Sequence, residues 1–140
     1  MRKTFILIGF IISMGLLGGN LVQESFWDIQ SVSNPVISPD GEYVIFTKKF
    51  IDKKNDKRVT EHWIMESNGS NKRFFVKGSN PKWSPSSKKV AYVKADENGK
   101  SQIYVKNLSN ESVTKITNFK DHVEDFSWSP DGEYFAFAAF

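Results

Sequence analysis

The nine residues SPDGEYFAF at 129–137 nearly repeat SPDGEYVIF at 38–46, and SPSSKKVAY at 84–92 is a third, weaker copy. The copies begin 46 and 45 residues apart. In Ser-Pro-Asp-Gly, proline fixes the backbone angle φ that the second position of a type I turn requires, and glycine accepts the positive φ that follows. Each copy therefore predicts a tight turn between two β-strands.

The middle copy has Ser87 where the other two copies have glycine. A serine with positive φ costs on the order of 1 kcal/mol, so this turn must either be strained or take a looser form. We therefore expect the connection in the second repeat to be the least regular of the three.

A run of consecutive apolar residues follows each turn, at 44–46, 90–93 and 135–138. Such a run indicates a strand covered on both faces, whereas a half-exposed strand alternates apolar and polar residues. Further strands are predicted at four places, around 62–65, 73–76, 102–105 and 113–117. A period of about 45 residues with four strands per repeat is typical of β-propeller blades.

The repeats predict an all-β fold, a partial β-propeller of about two and a half four-stranded blades. The blades are predicted at 34–77 for blade one, 78–122 for blade two and 123–140 for the start of blade three. A closed propeller has typically 4–8 blades. We therefore expect residues 34–140 to form an incomplete propeller and the chain to be the first part of a longer protein.

Residues 1–20, MRKTFILIGFIISMGLLGGN, have the basic start and the apolar run of a secretory signal peptide. The apolar run is shorter than the ~20 residues that a membrane-spanning helix needs, which favours cleavage. Leu16 and Leu17 stand where a second small residue is expected at the cleavage site, so an uncleaved signal anchor is the alternative. The sequence predicts an exported protein, periplasmic or secreted, with a lead-in segment at 21–33 before the propeller.

The chain of 140 residues has 19 basic and 16 acidic residues, and the leader contains two of the basic residues and no acidic one. The nearly neutral remainder supports neither a nucleic-acid partner nor a membrane-surface partner. The chain has no cysteine, which excludes disulfides, thiolate metal sites and cysteine nucleophiles.

The sequence contains no pattern for acyl-transfer catalysis, because the Gly-x-Ser-x-Gly elbow that presents a nucleophilic serine does not occur in it. The two histidines, His62 and His122, are interpreted as packing or hydrogen-bonding residues. The charged segment at 48–58 is predicted to be a long hairpin loop. Within it, Asp52, Asn55 and Asp56 lack the spacing and the glycine of a calcium loop, so we interpret them as a solvated hairpin tip. The sequence thus predicts no catalytic, metal-binding or cofactor-binding residue, and no cofactor.

Two of the tryptophans occupy equivalent positions, because Trp83 and Trp128 each stand immediately before a Ser-Pro pair. Repeated placement at the end of a first strand favours packing between blades over stacking on a sugar or peptide ligand. A group of acidic residues just before the third copy is interpreted as a structural part of the blade connection: Asp121, Glu124 and Asp125.

The Ser-Pro-Asp-Gly copies with a preceding tryptophan resemble the WD40-like propeller repeats of TolB-like proteins and of the prolyl-oligopeptidase family of serine peptidases. The stretch FWDIQSVSNPVISPDG at 26–41 is similar to the start of the mature chain in bacterial acylaminoacyl-peptidase and dipeptidyl-peptidase members of that family. The resemblance covers 26–140. It implies a seven-bladed propeller followed by an α/β-hydrolase domain with a Ser/Asp/His triad, whose residues have no counterpart in this chain.

The resemblance implies that the chain is the N-terminal propeller fragment of an exported serine peptidase. The propeller would gate and orient peptide substrates for a catalytic domain that this chain lacks, and the fragment alone would hydrolyse nothing. Its partners would then be peptides, with no nucleic acid and no membrane beyond an uncleaved signal anchor. One alternative is a TolB-like exported propeller that binds proteins without catalysis. Another is a propeller that binds sugars or forms the extracytoplasmic part of a sensor.

Overall fold

The computed structural model describes residues 30–140, which form ten antiparallel β-strands in three sheets and no helix. Within this part of the chain, no helix of a length and apolar character able to cross a membrane was found. The predicted leader at 1–20, and all of the lead-in segment before residue 30, lie outside the described residues.

Each sheet is a meander in which every strand pairs with its neighbour in the sequence. The first sheet, blade one, contains β1 (Ser31–Ile37), β2 (Tyr43–Asp52), β3 (Lys57–Glu66) and β4 (Arg73–Val76). The second sheet, blade two, contains β5 (Ser79–Trp83), β6 (Lys89–Ala95), β7 (Ser101–Asn107) and β8 (Val113–Lys115). The third sheet, the start of blade three, contains β9 (Val123–Trp128) and β10 (Phe135–Ala139). The fold is therefore all-β, with two four-stranded blades and half of a third.

The Ser-Pro-Asp-Gly segments form the predicted turns. In blade one, the Gly41 N–H donates to the Ser38 carbonyl at 2.8 Å, and Gly41 has a φ of +77°. The Ser38 hydroxyl accepts the Tyr43 N–H at 2.9 Å and donates to Asp40 at 2.5 Å. These bonds satisfy the polar groups of the turn, so the same short motif can join the first two strands of each blade.

The prediction that blade two has the least regular turn is wrong. Ser87 has a φ of +60°, and its N–H donates to the Ser84 carbonyl at 3.0 Å, which is the same closing bond as in the glycine turns. The Ser87 hydroxyl is buried and accepts the Asp40 N–H of blade one at 3.0 Å. Because a hydrogen bond contributes about 1 kcal/mol, this contact between blades offsets strain of about the same size.

A β-bulge recurs in the first strand of both complete blades. The register shifts between Ser33 and Val36 in blade one and between Ser79 and Lys82 in blade two. Each bulge contains an asparagine with positive φ, followed by a proline: Asn34 at +52° and Pro35, Asn80 at +54° and Pro81. Proline lacks the N–H that a regular ladder requires, so a bulge is a place where a strand tolerates it.

The hydrophobic core lies between the sheets. One cluster joins Ile45, Ile64, Phe75 and Val76 of blade one to Trp83, Val90 and Tyr92 of blade two. A second cluster joins Ala91, Val93, Ile103 and Val105 of blade two to Val123 and Phe126 of the third sheet. Successive residues 90–93 of β6 thus alternate between the two clusters and are all buried, as the continuous apolar run predicted. Each buried Val, Ile or Phe contributes about 1.5–3 kcal/mol, so stacking of the sheets is the main stabilising interaction.

Candidate functional site

The polar side chains that link the sheets are the most repeated feature of the structure. The Trp83 indole N–H donates to the Val36 carbonyl at 3.1 Å, and the Trp128 indole N–H donates to the Lys82 carbonyl at 3.1 Å. In both cases, the tryptophan at the end of one first strand reaches the first strand of the preceding blade. The predicted packing role of these two tryptophans is confirmed.

Three polar side chains on the first strands of blades two and three form a cluster. Lys82 Nζ lies 2.8 Å from Asp125 Oδ1, and the Asn80 amide donates to the same oxygen at 2.6 Å. The Lys82 ammonium also donates to the Phe126 carbonyl and lies 5.0 Å from the centre of the Phe126 ring. Asp125 is therefore a link between blades, which fits its predicted place in the blade connection.

The charges of this cluster are suited to holding blades two and three together rather than to catalysis. The Lys82 ammonium, with the Phe126 N–H and the Asn80 amide, lowers the pKa of Asp125 to about 2. A general acid or base needs a pKa near the working pH, so Asp125 is a fixed anion and carries no proton at neutral pH. The arrangement stabilises the contact between blades two and three.

A second charged link joins the outer strand of blade one to the third strand of blade two. Lys106 Nζ donates to the Phe75 carbonyl at 3.2 Å and lies 4.7 Å from the centre of the Phe75 ring. The same ammonium pairs with Glu111, which lies 3.6 Å from Arg73 of blade one. The Lys106 hydrogen bond lowers the pKa of Glu111. We call the contact between blades one and two the first seam and the contact between blades two and three the second seam. In each seam, a lysine donates to a backbone carbonyl of the adjacent blade.

His62 is a buried structural residue. Its Nε2 lies 3.1 Å from the Gly78 carbonyl, and its Nδ1 lies 3.3 Å from the Thr47 hydroxyl. Because a carbonyl can only accept a hydrogen bond, Nε2 carries the proton. Burial lowers the pKa of His62, so the neutral ring ties β3 to the connection that leads into blade two.

His122 and Gln102 hold the connection between blades two and three. The His122 Nδ1 accepts the Ser101 N–H at 3.2 Å. Gln102 is fully buried; its carbonyl accepts the Thr117 hydroxyl at 2.7 Å and the Phe119 N–H at 2.9 Å. The two histidines thus have separate hydrogen-bonding partners, in line with their interpretation from the sequence.

The prediction of a loop at 48–58 is wrong for most of this segment, because β2 extends to Asp52 and β3 begins at Lys57; Asp52 closes the short turn between them. Asp52 accepts the Lys54 N–H at 3.0 Å and the Asn55 amide at 2.7 Å. The Asn55 hydrogen bond lowers the pKa of Asp52. Among residues 30–140, no group of three or more His, Cys, Asp or Glu side chains is placed to hold a metal ion.

A cleft of about 520 Å³ lies along the long hairpin of blade one. It is lined by residues of three strands: Ser31 of β1, Lys49, Phe50 and Ile51 of β2, and Arg58, Val59 and Thr60 of β3. Cationic and apolar side chains therefore line the same open surface.

Several linking residues were missed from the sequence, and only some of them had a signal there. Asp125 was assigned to the blade connection from the sequence, but its partner Asn80 was missed; the two occupy equivalent positions 45 residues apart, so aligning the repeats could have paired them. The roles of Gln102 and Ser87 could not be predicted from the repeats, because these side chains are buried and bond to backbone groups that are distant in the sequence.

No protein-family model matches the chain. The chain is 28% identical over 109 residues to the uncharacterized peptidase YuxL of Bacillus subtilis. This match covers 75% of this chain and 17% of that protein. It is 38% identical over 56 residues to the Tol-Pal system protein TolB of Alcanivorax borkumensis, covering 40% of this chain and 13% of that protein. The chain therefore spans less than a fifth of the length of these relatives.

Solved structures show the same fold. The β-propeller domain of the trilobed protease from Pyrococcus furiosus matches 80% of this chain and 34% of its own, at a TM-score of 0.66 and 26% identity. The acylaminoacyl peptidase of Pyrococcus horikoshii matches 77% of this chain and 17% of its own, at a TM-score of 0.63 and 21% identity. In sequence and in structure, the relatives of this chain are peptidases of the acylaminoacyl and prolyl-oligopeptidase type with their β-propeller domains, together with TolB-type propellers.

Proposed function

We propose that this chain is the first part of the propeller of an exported serine peptidase of the prolyl-oligopeptidase family. The observation that carries the proposal is the match of 109 residues to a bacterial peptidase. The propeller would gate and orient peptide substrates for an α/β-hydrolase domain encoded after it. The chain itself contributes structure and access control rather than catalytic residues.

The seams described above support a gating role. A gate works only if its blades keep their relative positions, and each seam between the described blades combines apolar packing with indole and lysine bonds across it.

Export is part of the proposal and is supported by the leader sequence at 1–20. The basic start and apolar run would direct the chain across a membrane. N-terminal sequencing of the mature protein recovered outside the cytoplasm tests this step. We expect a first residue near position 20, and a protein that begins at Met1 and stays in the cytoplasm would contradict export.

The most direct test of the peptidase assignment is to read the coding frame past Phe140. Four or more further repeats followed by Gly-x-Ser-x-Gly would support the proposal. A stop codon soon after the last blade, without that motif, would rule it out.

Gating has a separate test in the product of the complete reading frame. The Trp83→Ala variant loosens the first seam. The matched control is Val113→Ala, which shortens a side chain that is 51% exposed on the outer strand of blade two. We expect Trp83→Ala to raise the rate of cleavage of unfolded casein relative to that of a short chromogenic peptide. An unchanged ratio would overturn gating and leave the peptidase assignment standing.

The second candidate function is a TolB-like protein-binding propeller without catalysis. The TolB match of 38% identity over 56 residues favours it. A complete frame that encodes a propeller but no nucleophile motif would select this function.

A further inference from the structure

We propose that the long hairpin of blade one is a docking surface for an acidic polypeptide segment in extended conformation. The basic hairpin comprises residues 48–61, from the last part of β2 to the first part of β3. The proposal is independent of the peptidase assignment, because it concerns binding by the chain itself.

The basic hairpin projects beyond its own sheet. Strands β2 and β3 pair over ten positions, from Tyr43–Glu66 to Asp52–Lys57, whereas the equivalent strands of blade two pair over seven. Strand β1 starts at Ser31, opposite Lys49. Among residues 30–140, the last three residues of β2 therefore have β3 as their one strand neighbour, and their other edge is unpaired within this part of the chain, as strand addition requires.

Positive charge is concentrated in this hairpin. Residues 48–61 contain six basic and three acidic side chains, whereas the remaining described residues contain eleven of each. Two of the three acidic side chains have partners within the hairpin region: Asp52 closes the turn, and Glu61 accepts the Trp63 indole N–H at 3.1 Å. The net positive charge of the described chain is thus located on one projecting element.

The cleft combines this charge with apolar surface. Lys49 and Arg58 line it together with Phe50, Ile51 and Val59. An extended peptide presents alternate side chains to opposite faces, so a segment that alternates acidic and apolar residues can meet both kinds of lining.

A polypeptide fits this surface better than a nucleic acid does. Single-stranded nucleic acids bind to aromatic rings on which their bases stack, and here the Lys48 ammonium lies 4.6 Å from the centre of the Trp63 ring and covers it. The backbone edge of β2 offers hydrogen bonds that match another polypeptide backbone. These features favour an acidic peptide among anionic partners.

The test measures binding of a short fluorescent peptide of alternating glutamate and valine to the full chain by fluorescence anisotropy. Two control peptides have glutamine in place of glutamate, or N-methyl groups that block strand pairing. The altered protein is the double variant Lys49→Gln, Arg58→Gln. The matched control is Lys88→Gln, Lys89→Gln, which removes two exposed charges from blade two.

We expect the acidic peptide to bind, and the Lys49/Arg58 double variant to bind it about five- to tenfold more weakly, since an exposed ion pair contributes up to about fivefold. The Lys88/Lys89 control variant should keep the original affinity for the peptide. Both double variants should have the same circular dichroism spectrum as the unaltered chain. Equal binding by both double variants, or equal binding of the glutamine or N-methylated peptide, would overturn the proposal. Binding of single-stranded DNA or anionic vesicles, but not of the peptide, would overturn it as well.

Discussion

The two seams of the structure share the tryptophan bond and a lysine that donates to a carbonyl of the adjacent blade, but they differ in their other links. Between blades one and two, Ser87 reaches Asp40, and Tyr43 stacks on Trp83 with ring centres 6.3 Å apart. Between blades two and three, Lys82 pairs with Asp125. The first seam also contains charged links through Lys106 and Glu111, so the buried serine hydroxyl and the ring stack are what distinguish it from the second seam. The indole bond, the lysine-to-carbonyl bond and the apolar faces recur in both seams, whereas the remaining links differ between them.

The largest effect is expected from removing the tryptophan of the first seam. Trp83 is 8% exposed, and its replacement by alanine should lower the free energy of unfolding by about 3–5 kcal/mol. Trp128 is more exposed, so Trp128→Ala should cost less. Urea unfolding followed by circular dichroism measures both, and an equal cost for the two variants would contradict the difference between the seams.

The next effect concerns the strained serine of the first seam. Ser87→Ala keeps the strain of positive φ and leaves the Asp40 N–H without its partner, so we expect a loss of about 1–2 kcal/mol. Ser87→Gly relieves the strain while it loses the same bond, and its stability should be close to that of the unaltered chain. Urea unfolding of the two variants side by side tests this, and a glycine variant as unstable as the alanine variant would refute the account of Ser87.

A smaller effect is expected at the corresponding position of the second seam. Gly132 has a φ of +75°, and a Cβ there would lie 3.3 Å from Pro85 Cδ of the preceding turn. Gly132→Ala should therefore destabilise by about 1 kcal/mol. Gly41→Ala is the matched control, because it has a similar φ but no atom within 4 Å of a Cβ. The excess cost of Gly132→Ala over Gly41→Ala, measured by thermal unfolding, reports the contact alone.

The smallest effect should come from the exposed ion pair of the second seam. The pKa of Asp125 is lowered to about 2 from its ordinary 3.8, so the folded state favours the anion. Its contribution is present above pH 3.8 and is lost as the pH falls through about 2. Stability should therefore fall less steeply in Asp125→Asn than in the unaltered chain over this window. Identical pH profiles of thermal unfolding would show that the pair contributes nothing.

The sequence predicted the architecture because the repeats carry their information locally. Ser-Pro-Asp-Gly specifies a turn through the conformations of its own residues, and the apolar runs indicate strands covered on both faces. The tryptophans before Ser-Pro were likewise predictable, since a repeated large side chain at a strand end has few other roles.

The links that depend on distant backbone groups could not be predicted in this way. Ser87 was expected to disturb its turn, because nothing in the local sequence shows that the Asp40 N–H lies beside its hydroxyl. The ten-residue strands of the basic hairpin were missed for a similar reason: a run rich in charged residues suggests a loop, and pairing with the opposite strand overrides that tendency.

The measurement that tests the central proposal most directly is labelling of the product of the complete reading frame with a serine-reactive fluorophosphonate. The account predicts one labelled serine, within a Gly-x-Ser-x-Gly sequence that follows the propeller, and no label on residues 1–140. A complete product that takes up no label, or a label within residues 1–140, would contradict the assignment of this chain to the propeller of a serine peptidase.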